Sequence, residues 1–296
     1  VSAENNTWHL PKPPRTRTRA GRQKPRAGAS RFAWFSSRHT IGYHGETMGN
    51  AALKNIGAVA LHDALDAARN PVMLMMLATC ALLALVFSSI IGVDWLGGAG
   101  SEAFLTMVAV AIAPAYTGSV GLLYVMSEEA ERGVPVTLAQ AGVTTAQAAI
   151  GKFLASLAWT LIAVALACLA VGFPAAKTAV VLALAIPASL PILFMTLAIG
   201  LLADDQMKSS VFAVPIVACA VLPLLGIMAE GLRTIVCFLP TGFAAEMSWM
   251  LAGLPTVLPP AATIALCAAW IAITAAFAAW AHRRYAAHVA ALVERA

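Results

Sequence analysis

Glu128, Glu129 and Glu131 stand close together, Arg132 follows directly, and Lys152 closes the same polar stretch, SEEAERGVPVTLAQAGVTTAQAAIGK (127–152). Carboxylates and cations gathered in this way allow three kinds of chemistry: proton transfer, metal ligation, or charge-guided docking of a partner. Proton transfer needs a poised partner, usually a histidine or a second shifted carboxyl. The six histidines, His9, His39, His44, His62, His282 and His288, all fall outside the apolar runs. Metal ligation needs clustered His or Cys at ligand spacing. The five cysteines, Cys80, Cys168, Cys219, Cys237 and Cys267, are scattered, and four of them lie in apolar runs where a thiol acts as a small hydrophobe. Docking remains.

Three specific chemistries fail on spacing. The EExxxR element of prenyl-protein-type membrane proteases would need an arginine at Gly133, but Arg132 comes one residue early and no intramembrane histidine completes a site. A phosphate-binding GxxxxGK[ST] loop would need glycine at Ala146 and Ser or Thr at Phe153 around Gly151-Lys152. An ion-coupled carrier places an ionisable group at membrane depth, and the predicted span cores hold no Asp, Glu, His, Lys or Arg. The sequence therefore predicts no catalytic residue, no metal site and no enzyme activity of the chain's own.

These residues sit in a strongly apolar setting. Of 296 residues, 60 % are hydrophobic and 11 % charged, far from the roughly 45–50 % and 25 % of soluble chains. Runs near 20 residues long match a hydrocarbon core about 30 Å thick, so the expected fold class is all-α: a polytopic membrane protein with six transmembrane helices, an N-terminal amphipathic interfacial helix and short external re-entrant helices. The spans are expected near 71–93, 103–126, 153–172, 178–202, 211–229 and 258–281. Residues 1–47, rich in Pro, Arg and Gly, hold nine of the nineteen Lys and Arg; they read as a disordered basic tail attracted to anionic lipid, with Met48 an alternative physiological start.

From 48 to 70, Leu53, Ile56, Ala60, Ala64, Leu65 and Ala68 repeat at helical spacing, while Lys54, Asn55, His62, Asp63, Asp66 and Arg69 face the other way. An interfacial helix with Asn50 as N-cap is expected, ended or bent by Pro71. Lys54, Arg69, Arg132, Lys152, Lys208, Arg283, Arg284 and Arg295 fall on one side of a six-span topology, and Lys177 and Arg233 on the other. The positive-inside rule then makes both termini cytoplasmic, with 286–296 a cytoplasmic tail and 94–102, 173–177 and 230–257 external. The last of these is too apolar for a free loop. Its break at Pro240 and Gly242 predicts two short half-inserted helices around LPTG. Pro114, Pro187, Pro191, Pro215 and Pro223 predict kinks, either ordinary bends or the lining of a moving cavity. Ala265, Ala269, Ala272, Ala276 and Ala279 offer a small face for dimerisation or for packing within the subunit.

Within 127–152 the signals are local. Glu128, Glu129, Glu131 and Arg132 extend the second span as a polar helical end, and Gly133 breaks it. Pro135 opens a short helix with Val136, Leu138 and Ala139 as its apolar surface, Gly142 caps it in the left-handed region, and Thr144 with Gln147 makes a capping box for the third span.

At this point the stretch resembles a known family. Glu129-x-Glu131-x-Gly133, Leu138, Val143-Thr144 and Ile150-Gly151-Lys152 are similar to the E-x-E-x-G-T…L…P-V-S…L-G-K segment of type-2 (ABC-2) permeases of ABC transporters. The helix ending Arg69-Asn70-Pro71 resembles that family's elbow helix, LLADDQMKSSVFAVPIV its fourth-to-fifth span junction, and FLPTGFAAEM its external re-entrant region; together the likeness covers about 50–285. Val134 stands where the family has Thr, Pro135 where it has an apolar residue, and Gly142 where Pro is usual.

The resemblance implies a six-helix permease domain over 71–285. Glu128, Glu129, Glu131, Arg132, Gly133, Val136, Leu138, Gly142, Thr144 and Lys152 would couple it to two copies of a separate ABC ATPase. It further implies a second permease copy or related permease, a bacterial-type cytoplasmic membrane, and no nucleic acid. This chain would bind no cofactor, and ATP and Mg would sit on the partner. Tyr116, Thr117, Ser119 and Tyr124 are the candidate path-lining residues, with Tyr116 and Tyr124 equally suited to interfacial anchoring. A path without charges suits an amphipathic or hydrophobic cargo such as a drug, an antimicrobial peptide or a lipid. A non-transporting scaffold or immunity-type subunit that holds a partner through 127–152 is the alternative.

Overall fold

The computed structural model describes residues 48–91, 97–203 and 205–295. The chain divides into Val1–Gly45 and Glu46–Ala296; every described residue lies in the second unit, and the basic tail falls outside them. The described residues are all helix and connection, without strands. The helices are α1 Met48–Arg69, α2 Pro71–Ile91, α3 Gly97–Ala113, a π-helical segment Pro114–Val120, α4 Gly121–Glu131, α5 Val134–Gln140, α6 Thr145–Val171, α7 Ala175–Leu202, α8 Gln206–Met228, α9 Glu230–Val236, α10 Gly242–Leu251 and α11 Pro260–Val293. Six stretches are long and apolar enough to cross a membrane: Pro71–Ile90, Gly97–Glu131, Thr145–Val171, Ala175–Leu202, Gln206–Gly226 and Pro260–Val293. This is a multi-pass membrane protein.

The second span is the hub. Its most apolar window is 78 % buried, against 17 % for the first span and 22 % for the last. Its sequence explains this, because Ala103, Ala109, Ala111, Ala113 and Ala115 are all fully buried and small residues let neighbouring backbones come close. Pro114 was expected to kink this helix. There the ladder widens into seven residues of π-helix without ending, a feature common at functional sites. Side chains satisfy the carbonyls this frees. Thr117 donates to Ala113 O at 2.7 Å, Ser119 donates to Ala115 O, and Ser156 reaches across from α6 to Gly118 O at 2.9 Å.

Two boundaries differ from expectation. α1 begins at Met48, so Asn50 lies inside the helix and does not cap it. The cap instead stands at the next helix, where the Asn70 side chain accepts from Val72 N at 2.9 Å and Pro71 takes the first helical position. At the other end, α11 does not stop near 281 but continues to Val293. The alanine-rich run after Tyr285 retains strong helix propensity, and at 34 residues the helix is longer than a hydrocarbon core about 30 Å thick requires.

Segment 230–257 contains two short helices, α9 and α10, with 237–241 between them. Thr241 donates to Ala220 O at 2.9 Å, and Trp270 Nε1 donates to Phe238 O at 2.8 Å. The turn is thereby tied to both α8 and α11.

Candidate functional site

The polar stretch folds largely as its local signals dictate. α4 carries the second span on through Glu131, and Gly133 then turns the chain with φ +70°, in the left-handed region where a side chain is strained. Val134 is the first residue of α5 and Pro135 the second, one place later than expected. At its far end Gly142 N–H donates to Ala139 O and Val143 N–H to Leu138 O, both at 3.0 Å, which is the Schellman pairing. The capping box is complete: Thr144 Oγ1 accepts from Gln147 N at 3.2 Å, and Gln147 Oε1 accepts from Thr144 N at 3.0 Å. α5 is thus a seven-residue transverse helix held between two defined ends.

The supports beneath it are not local. Gln147 Oε1 also accepts from Asn55 Nδ2 of α1 at 3.2 Å, and Thr145 Oγ1 lies 3.1 Å from His282 Nε2 of α11. Below these contacts Lys152, only 7 % exposed, places its Nζ 2.6 Å from Glu129 Oε1 and 3.1 Å from Asp63 Oδ2. One ammonium therefore joins α4, α6 and α1. His62 Nδ1 stands 3.3 Å from Asp63 Oδ1 and its Nε2 3.7 Å from Asp66.

Burial alone would raise the Asp63 carboxyl, but the adjacent Lys152 charge and the contact with His62 together hold it below its ordinary value. His62 is pushed above its ordinary value by its hydrogen bond to Asp63, with Asp66 adding to the effect and burial opposing it. A raised histidine stabilises most below the unfolded value of about 6.5 and loses that contribution as pH rises through its folded value. We expect protection of the α1 amides against hydrogen exchange to fall as pH is raised through and above neutrality, after correction for intrinsic exchange, with His62→Asn flattening the profile. The other charges acting on this ring are Asp63, Asp66 and Glu129. An unchanged slope in His62→Asn would refute the assignment.

α1 reaches the triad because Gly151 lets it. A Cβ at Gly151 would lie 2.7 Å from Val59 Cγ1 and 3.1 Å from the Ile56 carbonyl oxygen. The face that α1 presents to α6 therefore runs through Ile56, Val59, Asp63 and Ala67. Leu53 and Leu65 of the expected apolar stripe point away, 70 % and 48 % exposed, as does Leu61.

Each carboxylate of the polar stretch has an internal task. Glu128 pairs with Arg132 one turn on, Glu129 with Lys152, and Glu131 accepts from Gln206 N at 2.9 Å, helping Asp205 start α8. Lys152 is turned inward. Val136 and Leu138 are half-buried on α5, whereas Gly133, Thr137, Gln140, Gly142 and Thr144 are exposed. The exposed surface of the transverse helix is neutral and small. Of the candidate path residues, Thr117 and Ser119 are buried on the π-helical segment beside half-buried Tyr116; Tyr124 stands apart, further along α4.

Sequence reasoning missed Asp63 and Glu246. Asp63 sits on the polar face of an amphipathic helix, where charge normally meets water, and only the close approach at Gly151 signals otherwise. Glu246, 1 % exposed in α10, accepts from Arg233 Nε at 3.1 Å and from Val257 N at 2.6 Å. No grouping of His, Cys, Asp and Glu among the described residues forms a metal site. No protein-family model matches the chain, and no curated protein matches it.

Proposed function

We propose that this chain is the membrane subunit of an ATP-driven exporter of the type-2 ABC permease kind. The observation that supports this reading above all is the coupling of α5 to the spans. A short transverse helix with an open outer surface rests between two long span helices that a buried Lys152–Glu129 pair locks together. A push on such a helix moves α4 and α6 as one piece, and the same lysine carries the movement to α1 through Asp63. A separate ATPase, holding ATP and Mg, would grip the exposed side of α5 from the cytoplasm. Two permease halves would then rock to expose an amphipathic or hydrophobic cargo outward. In this reading both termini are cytoplasmic, the membrane is a bacterial-type inner membrane, and α1 lies in the interface with Leu53, Leu61 and Leu65 towards lipid.

The test uses the chain co-expressed with a lone ABC ATPase encoded beside it. Thr137→Arg combined with Gln140→Arg alters only exposed positions and leaves the triad untouched. We expect the wild type to co-purify with the ATPase and to support ATP-dependent transport in vesicles. The double variant should keep its thermal stability while docking weakens at least about tenfold, the loss expected from ~1.4 kcal/mol at an interface centre. Unimpaired docking and ATPase activity in the double variant would overturn the assignment of α5. Docking without transport of any amphipathic probe would favour the scaffold reading.

A further inference from the structure

A groove of about 270 Å³ opens where the start of α5, the end of α7 and the C-terminal part of α11 meet. Its floor is apolar, formed by Pro135, Val136, Leu202 and Leu292, and its polar groups are Arg284, His288 and the Tyr285 ring. No carboxylate lines it. Neither Arg284 nor His288 has an ion pair with a carboxylate among the described residues. Glu294, the nearest acid along the chain, is not among the groove's lining residues, and of the acids around the lining Ala130, Glu128 is occupied by Arg132, Glu129 by Lys152 and Glu131 by Gln206 N. An apolar floor under uncompensated positive charge calls for an amphiphile with a negative head.

The position of the groove identifies which amphiphile. The apolar run of α11 ends in an aromatic-basic stripe: Phe277 stacks on Trp280 at 5.7 Å, and the Arg284 guanidinium lies 4.6 Å over the Trp280 ring. Tryptophan gathers at membrane–water boundaries, and arginine beside it reaches outward from the apolar zone to the headgroups. The groove therefore opens at headgroup level. Its volume lies just under the roughly 300–1,000 Å³ of small-molecule pockets. That suits a headgroup and its glycerol unit, with the acyl chains running outside over the exposed flanks of Leu202 and Leu292.

We propose that this groove is a binding site for an anionic membrane phospholipid, whose phosphate is held by Arg284 and His288 while its glycerol unit rests on Pro135 and Val136. Arginine's planar fork of donors matches a phosphate's oxygens, and the groove, unlike the bare lipid-facing flank, supplies an apolar seat as well. A lipid bound there touches α5, so membrane composition acts on the same segment that the exporter reading gives to the ATPase. The site itself rests on the groove and its charges and does not depend on that reading.

The experiment compares purified, delipidated full-length chain titrated with phosphatidylglycerol, phosphatidylcholine and glycerol 3-phosphate, read by native mass spectrometry and thermal shift. We expect one phosphatidylglycerol retained roughly fivefold more strongly than phosphatidylcholine, the ratio given by about 1 kcal/mol from one arginine at a membrane surface. Arg284→Gln with His288→Gln should abolish the preference. Arg69→Gln with Arg295→Gln, which removes exposed basic residues outside the groove, should keep it. Leu292→Trp fills the groove without changing its charge and should also lose the retained lipid. Three results would each overturn the proposal: an unchanged preference in Arg284→Gln/His288→Gln, retention in Leu292→Trp, or glycerol 3-phosphate competing as well as the lipid, which would make this a free-phosphate site. The altered positions are exposed, and melting curves without lipid establish that each variant is folded before binding is compared.

Discussion

Replacing Lys152 with methionine will destabilise the protein by roughly 3–5 kcal/mol, the cost of removing one partner from a buried ion pair. The magnitude follows from what remains. Glu129 and Asp63 lose the ammonium at 2.6 and 3.1 Å, and two carboxylates are left facing one another in a dry site. Methionine preserves most of the side-chain volume, so little of the effect comes from packing. The expected result is a large drop in melting temperature in detergent, with loss of hydrogen-exchange protection first in α1, which has fewer other anchors than the spans. Because the penalty is charge and not shape, adding Glu129→Gln and Asp63→Asn to Lys152→Met should recover most of the stability. Replacing buried ion pairs by neutral groups of like size is often nearly free. If Lys152→Met melts like the wild type, the triad is not structural. If the triple variant is no better than the single one, the loss is one of packing.

Recovery of stability in the triple variant need not restore coupling. A neutral triad would still pack α1, α4 and α6 together while removing the strong attraction that makes α4 and α6 respond as a unit. On the exporter reading proposed above, transport loss with stability regained is the signature expected of a mechanical link.

The triad also marks how far the sequence was legible. Signals that act within a few residues were read correctly: the turn at Gly133, the left-handed cap at Gly142 and the Thr144–Gln147 box. Six apolar stretches were legible too, because length and hydrophobicity are properties of a segment by itself. What failed depended on partners distant along the chain. Asp63 and Lys152 are 89 positions apart, and an acid on the polar face of an amphipathic helix looks solvated until Gly151 brings α6 against it. Lys152 looked like the last residue of a loop, whereas α6 begins at Thr145 and carries it inside. The contacts of Glu129 with Lys152 and of Glu131 with Gln206 N likewise depend on residues outside the local pattern. Pro114 signalled a kink but not its form: the serine and threonine hydroxyls around it, and Ser156 on another helix, accommodate a widened helix there.

Glu246→Ala should open segment 230–258 at a cost of roughly 3–5 kcal/mol. A single carboxylate organises that region. It accepts from Arg233 through both Nε and the terminal nitrogen, and from Val257 N and Leu258 N in the connection that leads into α11. Arg233 in turn donates to Pro255 O at 2.8 Å and lies 3.7 Å over the Trp249 ring. Truncation therefore strands a largely buried guanidinium and two backbone donors together, and unmet buried donors each carry their own desolvation cost. Glu246→Gln keeps the shape and half of the acceptor capacity but not the charge, so it should fall between wild type and Ala. Hydrogen exchange resolved by segment is the deciding measurement. Protection should collapse across 230–258 in Glu246→Ala while 145–171 stays protected, because α6 draws its own stability from the triad and the hub. A loss spread evenly over the chain would mean that α9 and α10 are an integral part of the core rather than a separately clasped unit.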